Sequence, residues 1–149
     1  GILPIARNDN GLAVVMGHEI AHALANHGNE RMSQSLILEL GGVALSTALK
    51  QQPAKTKELF MTSYGAVGQV GLLLPYSRLH EKEADRIGLI LMAMAGYDPR
   101  EAIPFWQRMN AQGGGRPPEF LSTHPAPESR IAQIEQLLPE AMAIYEGKK

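Results

Sequence analysis

His18-Glu19-Ile20-Ala21-His22 sits inside an apolar periodic run, with Leu12, Val14, Val15 and Met16 before it and Ala23, Leu24 and Ala25 after it. On an α-helix a step of four residues turns about 400°, so His18 and His22 stand about 40° apart on one face and about 6 Å apart along the axis. Two imidazoles placed this way can share one Zn²⁺. Glu19 falls about 100° from His18 and about 60° from His22. It can reach a water beside the metal without being a ligand. The competing reading is an exposed polar stripe on an ordinary amphipathic helix, but a Glu buried between two histidines is costly without a metal or donors.

The rest of the chain suits a helical domain. Its 149 residues are 44% apolar, 19% charged and only 5% aromatic, so a core must come from Leu, Ala, Ile, Val and Met. We read it as one domain, 1–149, and the abrupt start at Gly1 as that of a fragment beginning just before the motif helix. The formal net charge of −1 offers no electrostatic case for nucleic acid or an acidic membrane surface. The absence of cysteine excludes a disulfide framework and a thiolate zinc site. The apolar runs 36–49 and 66–75, interrupted by Glu39 and Gln69, fall short of the ~20 residues of a membrane helix. They are expected as core helices of a soluble domain.

Cap and break residues divide the chain into about six helices. The motif helix should start near Asp9 or Asn10 and run to about His27, with Gly28 as its stop. Asn29 then caps a helix over 30–51. After the Pro53 break comes a helix over 57–74, ended by Pro75. In it Gly65, Gly68 and Gly71 offer a small-residue face for close helix approach. Ser77 caps a helix over 78–95, closed by Gly96, and Asp98 caps one from Pro99 to Ala111. The segment 112–118 is too rich in Gly and Pro for regular structure. A loop carrying His124 leads to a helix over 127–138, and Pro139 opens a short terminal one. No strand longer than three or four residues is expected.

A catalytic zinc needs three protein ligands and an open position. The candidates for the third are His27, His80, His124, Glu81, Glu83 and Asp85. Glu81 and Asp85 are four apart and share a helix face, with small Ala84 and Gly88 beside them to admit the motif helix; Glu83 points about 200° away from Glu81. Glu81 as ligand, with Asp85 accepting the free N–H of a ligand imidazole, makes a coherent set. His80 and His27 read as surface or capping residues.

At this point the chain resembles a known family. Ser77-Arg78-x-x-Glu81-x-x-Ala84-Asp85 after His18-Glu19-x-x-His22, followed by Ala95-Gly96-Tyr97-Asp98-Pro99, Thr123-His124-Pro125 and Ser129-Arg130-Ile131, is similar to the gluzincin metallopeptidases that include HtpX, the CAAX prenyl proteases and the soluble BepA and LoiP proteins. The resemblance implies a mainly α fold, a compact bundle around the motif helix, and one Zn²⁺ per chain held by His18, His22 and Glu81. It implies that Glu19 is the catalytic base and that Asp85 orients a ligand histidine. His124 would sit over the site, either donating to the oxyanion or filling the open zinc position in a latent form. Arg130 would be structural or hold that loop. Family members carry a β-hairpin ahead of this chain's start, whose edge strand lines the cleft, and nothing before Asp9 supplies it.

The expected function is therefore zinc-dependent hydrolysis of peptide bonds in proteins. By resemblance this is envelope protein quality control in the periplasm of a Gram-negative bacterium, with the cytoplasm as the alternative compartment. The partners are a protein or peptide substrate and a partner chain or second copy; no nucleic acid and no membrane-spanning segment is expected. The rival reading is a latent or non-catalytic zinc-binding module acting as a chaperone or assembly partner.

Overall fold

The computed structural model describes residues 2–111, 124 and 129–147. The expected irregular segment 112–118, the residues flanking His124 and the expected helix start at 127 lie outside them. The described residues are helical, without a strand: α1 (Leu3–Ala6), α2 (Asp9–Leu24), α3 (His27–Ala48), α4 (Ala54–Gly68), a π-helical turn (Gln69–Leu73), α5 (Leu74–Met94), a 3₁₀ turn (Pro99–Glu101), α6 (Ala102–Ala111) and α7 (Arg130–Glu146). Apart from the single turn of α1, these are the six helices expected. The chain divides into two compact units, 1–25 with 80–149, and 26–79.

In the first unit the apolar lead-in folds back as α1 and buries Ile5 and Ala6 in a core with Val14, Leu89, Phe105, Trp106 and Ile134. Asn8 caps α2 by accepting from Gly11 N–H at 2.9 Å, so the helix opens at Asp9, as expected. The decisive packing is between α2 and α5. A Cβ on Gly17 would lie 2.7 Å from the Gly88 carbonyl oxygen, and one on Gly88 would lie 2.9 Å from His18 N. Only a pair of glycines lets the two backbones approach this closely, and the approach sets the motif helix against the helix that carries Glu81 and Asp85.

Asp98 caps the 3₁₀ turn by accepting from Arg100 N–H, as the Tyr97-Asp98-Pro99 signal indicated. Gly96 takes the left-handed conformation at φ +85°. The second unit is a hairpin of α3 and α4, and here the small-residue face is real at Gly68. A Cβ there would meet Leu38 Cδ1 at 2.2 Å. Tyr64 donates its hydroxyl to the Leu38 carbonyl at 2.9 Å.

Four expected boundaries move. The motif helix stops at Leu24, because Asn26 rather than Gly28 takes the left-handed conformation, φ 62°; Asn is the non-glycine residue that tolerates it best. Gly28 and Asn29 therefore lie inside α3. Pro75 does not end a helix: it is the second residue of α5, directly after the π turn closed by Leu74 N–H to Gln69 O. The wider π ring gives the pyrrolidine room that an ordinary turn lacks, and Ser77 consequently caps nothing. Pro139 likewise lies within α7. It sits on the exposed side with Glu135, whose carbonyl water can satisfy in place of the missing N–H.

Candidate metal centre

His18, His22, Glu81 and His124 converge. One donor atom from each lies within 4.8 Å of all the others. The two Nε2 atoms of the motif are 3.1 Å apart. His18 Nε2 is 3.3 Å from Glu81 Oε2 and His22 Nε2 is 3.3 Å from Glu81 Oε1. His124 Nδ1 is 3.3 Å from His18 Nε2 and 2.9 Å from Glu81 Oε1. Four ligands at zinc–nitrogen or zinc–oxygen lengths of about 2.0–2.1 Å, set tetrahedrally, stand about 3.3 Å from one another. The donor set thus fits a zinc ion in both chemistry and spacing. Glu81 Oε2 is buried without a closely made hydrogen bond and faces His18 Nε2 and Arg130 Nη1, each at 3.3 Å.

Behind the donors lies a buried chain of charge. His18 is 2% exposed and Asp85 7%, and His18 Nδ1–H donates to Asp85 Oδ1 at 3.0 Å. Arg130 grips the same carboxylate through Nε to Oδ2 at 2.8 Å and Nη2 to Oδ1 at 2.6 Å. Its guanidinium stacks 3.7 Å over the Trp106 ring. The bidentate fork pins Asp85, and Asp85 in turn fixes the His18 tautomer with its Nε2 lone pair directed at the cluster.

Glu19 is different. Its side chain is 46% exposed, and its Oε1 lies 3.3 Å from His124 Nε2. It stands beside the four donors and is not one of them.

Burial opposes charge on His18, but hydrogen bonds to Asp85 and Glu81 hold its pKa above the usual imidazole value. Burial also opposes charge on Glu81. The hydrogen bonds it accepts from His124, His18 and His22 outweigh this and hold its carboxyl far below the usual range. The cluster keeps Glu81 anionic, as a cation requires, whereas the raised His18 value favours an imidazolium whose proton a bound cation would displace.

The structure brings His18, His22, Glu81 and His124 together, with Glu19, Asp85 and Arg130 beside them. His80 and His27, expected on the surface, are 8% and 4% exposed. Neither belongs to the donor cluster. Glu83 is exposed, as its 200° offset required. Trp106, the platform under Arg130, was missed; the available signal was that it is the only tryptophan in an aromatic-poor chain.

Residues 1–138 match peptidase family M48. The chain is 39% identical over 143 residues to the mitochondrial metalloendopeptidase OMA1 of Schizosaccharomyces pombe, covering 95% of this chain and 40% of that protein. It is 41% identical over 155 residues to the OMA1 protein of Saccharomyces cerevisiae, covering 97% and 41%. It is 34% identical over 136 residues to the beta-barrel assembly-enhancing protease of Escherichia coli, covering 84% and 26%. The chain thus spans about two fifths of the length of the first two relatives. No solved structure gives a significant match.

Proposed function

The chain belongs to peptidase family M48, and from that premise we propose that it is the catalytic domain of a zinc-dependent endopeptidase acting on proteins. The observation that supports this best is Glu19 standing exposed beside a converged His18–His22–Glu81 donor set. His18 and His22 Nε2 and the Glu81 carboxylate would hold one zinc ion. When bound, zinc would acidify a water and polarise the scissile carbonyl.

The chain's own residues supply the rest. Glu19 takes a proton onto its carboxylate as the water attacks the peptide carbonyl, then delivers it to the leaving amine nitrogen. General-base help of this kind contributes roughly 10²–10⁴-fold. Asp85 holds the His18 Nδ1–H, and Arg130 holds Asp85. The names of the bacterial relatives support envelope protein quality control, and with it the periplasm. The OMA1 relatives are named as mitochondrial, which supports the mitochondrion as the other compartment.

A second reading concerns state, and it rests on His124. Its Nδ1 joins the donor set, which supports a closed, latent centre. Cleavage would then require His124 to leave the fourth position to water.

The test is zinc content and casein cleavage of variants. Glu19→Gln is expected to keep zinc and lose cleavage; wild-type cleavage by that variant would end the general-base assignment. Glu81→Ala should lose zinc and Glu83→Ala should keep it. The reverse would mean that the third ligand is the wrong carboxylate.

A further inference from the structure

The second unit, 26–79, exposes apolar side chains that a water-bathed hairpin has no reason to keep. On α3 Leu36, Leu40 and Val43, and on α4 Leu59, Phe60 and Val67, are each more than half exposed. At 100° per residue the α3 trio spans about 60° and the α4 trio about 100°. The two helices pack through other faces, Leu38 against Gly68 and Tyr64 against Gly41. Measured from those faces, the α3 arc is turned about 160° and the α4 arc about 100°.

The apolar surface therefore wraps around the outside of the hairpin. One flat protein partner meets a single seam, whereas an acyl layer conforms to both arcs. Ser35, Glu39 and Ser46 on α3 fall within about 40° of one another, and Thr62 on α4 and Gln69 at the start of the π turn within about 20°. They give each helix a polar edge beside its apolar arc, and the hydroxyl side chains of Thr47 and Ser63 are polar groups that fall within the arcs. Glu39 is the one charge between positions 32 and 49, and there is none between 59 and 77. Where α3 turns into α4, Lys50, Lys55 and Lys57 outnumber Glu58, a cationic tip on a chain of net charge −1. No described helix is long and apolar enough to cross a membrane.

We infer that the 26–79 hairpin is an in-plane membrane-docking element. Its apolar arcs lie in the acyl boundary, its polar edges face water, and its lysine tip rests against anionic headgroups. None of the four converged donors lies on it, so the inference stands apart from the peptidase reading.

The full chain, mixed with phosphatidylcholine vesicles or with vesicles that also contain phosphatidylglycerol, is expected to float with both, and more completely with the anionic ones. Leu40→Glu and Phe60→Glu should each lower the bound fraction about tenfold with unchanged circular dichroism. Val67→Ser is a milder change at the most exposed of the six positions and should lower it less. Lys50→Gln combined with Lys55→Gln should remove only the preference for anionic vesicles. Failure to float with either composition, or flotation indifferent to the glutamate variants, would overturn the inference. So would a dimer in light scattering that Leu40→Glu dissociates, since that would assign the arcs to a second copy of the chain.

Discussion

Two side chains outside the His18-Glu19-x-x-His22 stretch, His124 and Asp85, are expected to govern how the proposed metal centre behaves. His124 contributes Nδ1 to the donor set and Nε2 to Glu19. If it closes the fourth position, His124→Ala should raise the initial rate of peptide cleavage at unchanged zinc content. If it serves as an oxyanion donor, the same substitution should lower the rate by about 10²–10³-fold. A fluorogenic peptide assay separates the two by sign.

Asp85 acts through His18. Asp85→Asn keeps the shape but can present an N–H to His18 Nδ1, favouring the wrong tautomer. Zinc affinity, read by competition with a chelating dye, should fall about 10–100-fold. At this scale the sequence was informative because spacing alone put His18 beside His22 and Glu81 beside Asp85. It could not reveal that Arg130 spans 45 positions to grip Asp85, because no local periodicity encodes a contact between distant helices. Nor could it reveal that His80 and His27 are buried, since burial follows from what packs over a residue and not from its neighbours in the chain.

Among the elements, the α2–α5 crossing carries the site. Ala84 and Gly88 read from the sequence as room for the motif helix, and the structure uses Gly88 for that purpose. Gly88→Ala would drive a methyl into the His18 backbone. Overpacking of this kind costs about 1–3 kcal/mol. A lower melting temperature and weaker zinc binding are both expected, measured by calorimetry and dye competition. Helix identities were legible from caps and apolar spacing; helix ends at proline were not. Pro75 and Pro139 read as stops because an isolated helix cannot spare the N–H. A π turn and a solvent-facing carbonyl remove that penalty, and neither leaves a mark in composition.

At the level of the whole molecule, the metal-free protein should carry the electrostatic signature of its centre. Glu81 has a lowered pKa, so its contribution to stability is present above the usual 4.5 and is lost as pH falls below it. His18 has a raised pKa, so its contribution is present below the usual 6.5 and fades as pH rises through the raised value. Melts in chelator should therefore be highest between these limits. Zinc binding needs neutral imidazoles, so the gain in melting temperature on adding zinc should be larger at about pH 8 than at about pH 5.5. An equal gain at both would show that His18 does not titrate with metal binding. The division of the chain has a different kind of consequence. The unit that holds the donors leaves off at Ala25 and resumes at His80, so residues 26–79 form an excursion from a unit that closes without them. Closure entropy rises only with the logarithm of loop length, about 0.6 kcal/mol per doubling. Altering the length of that stretch should therefore cost the donor unit little.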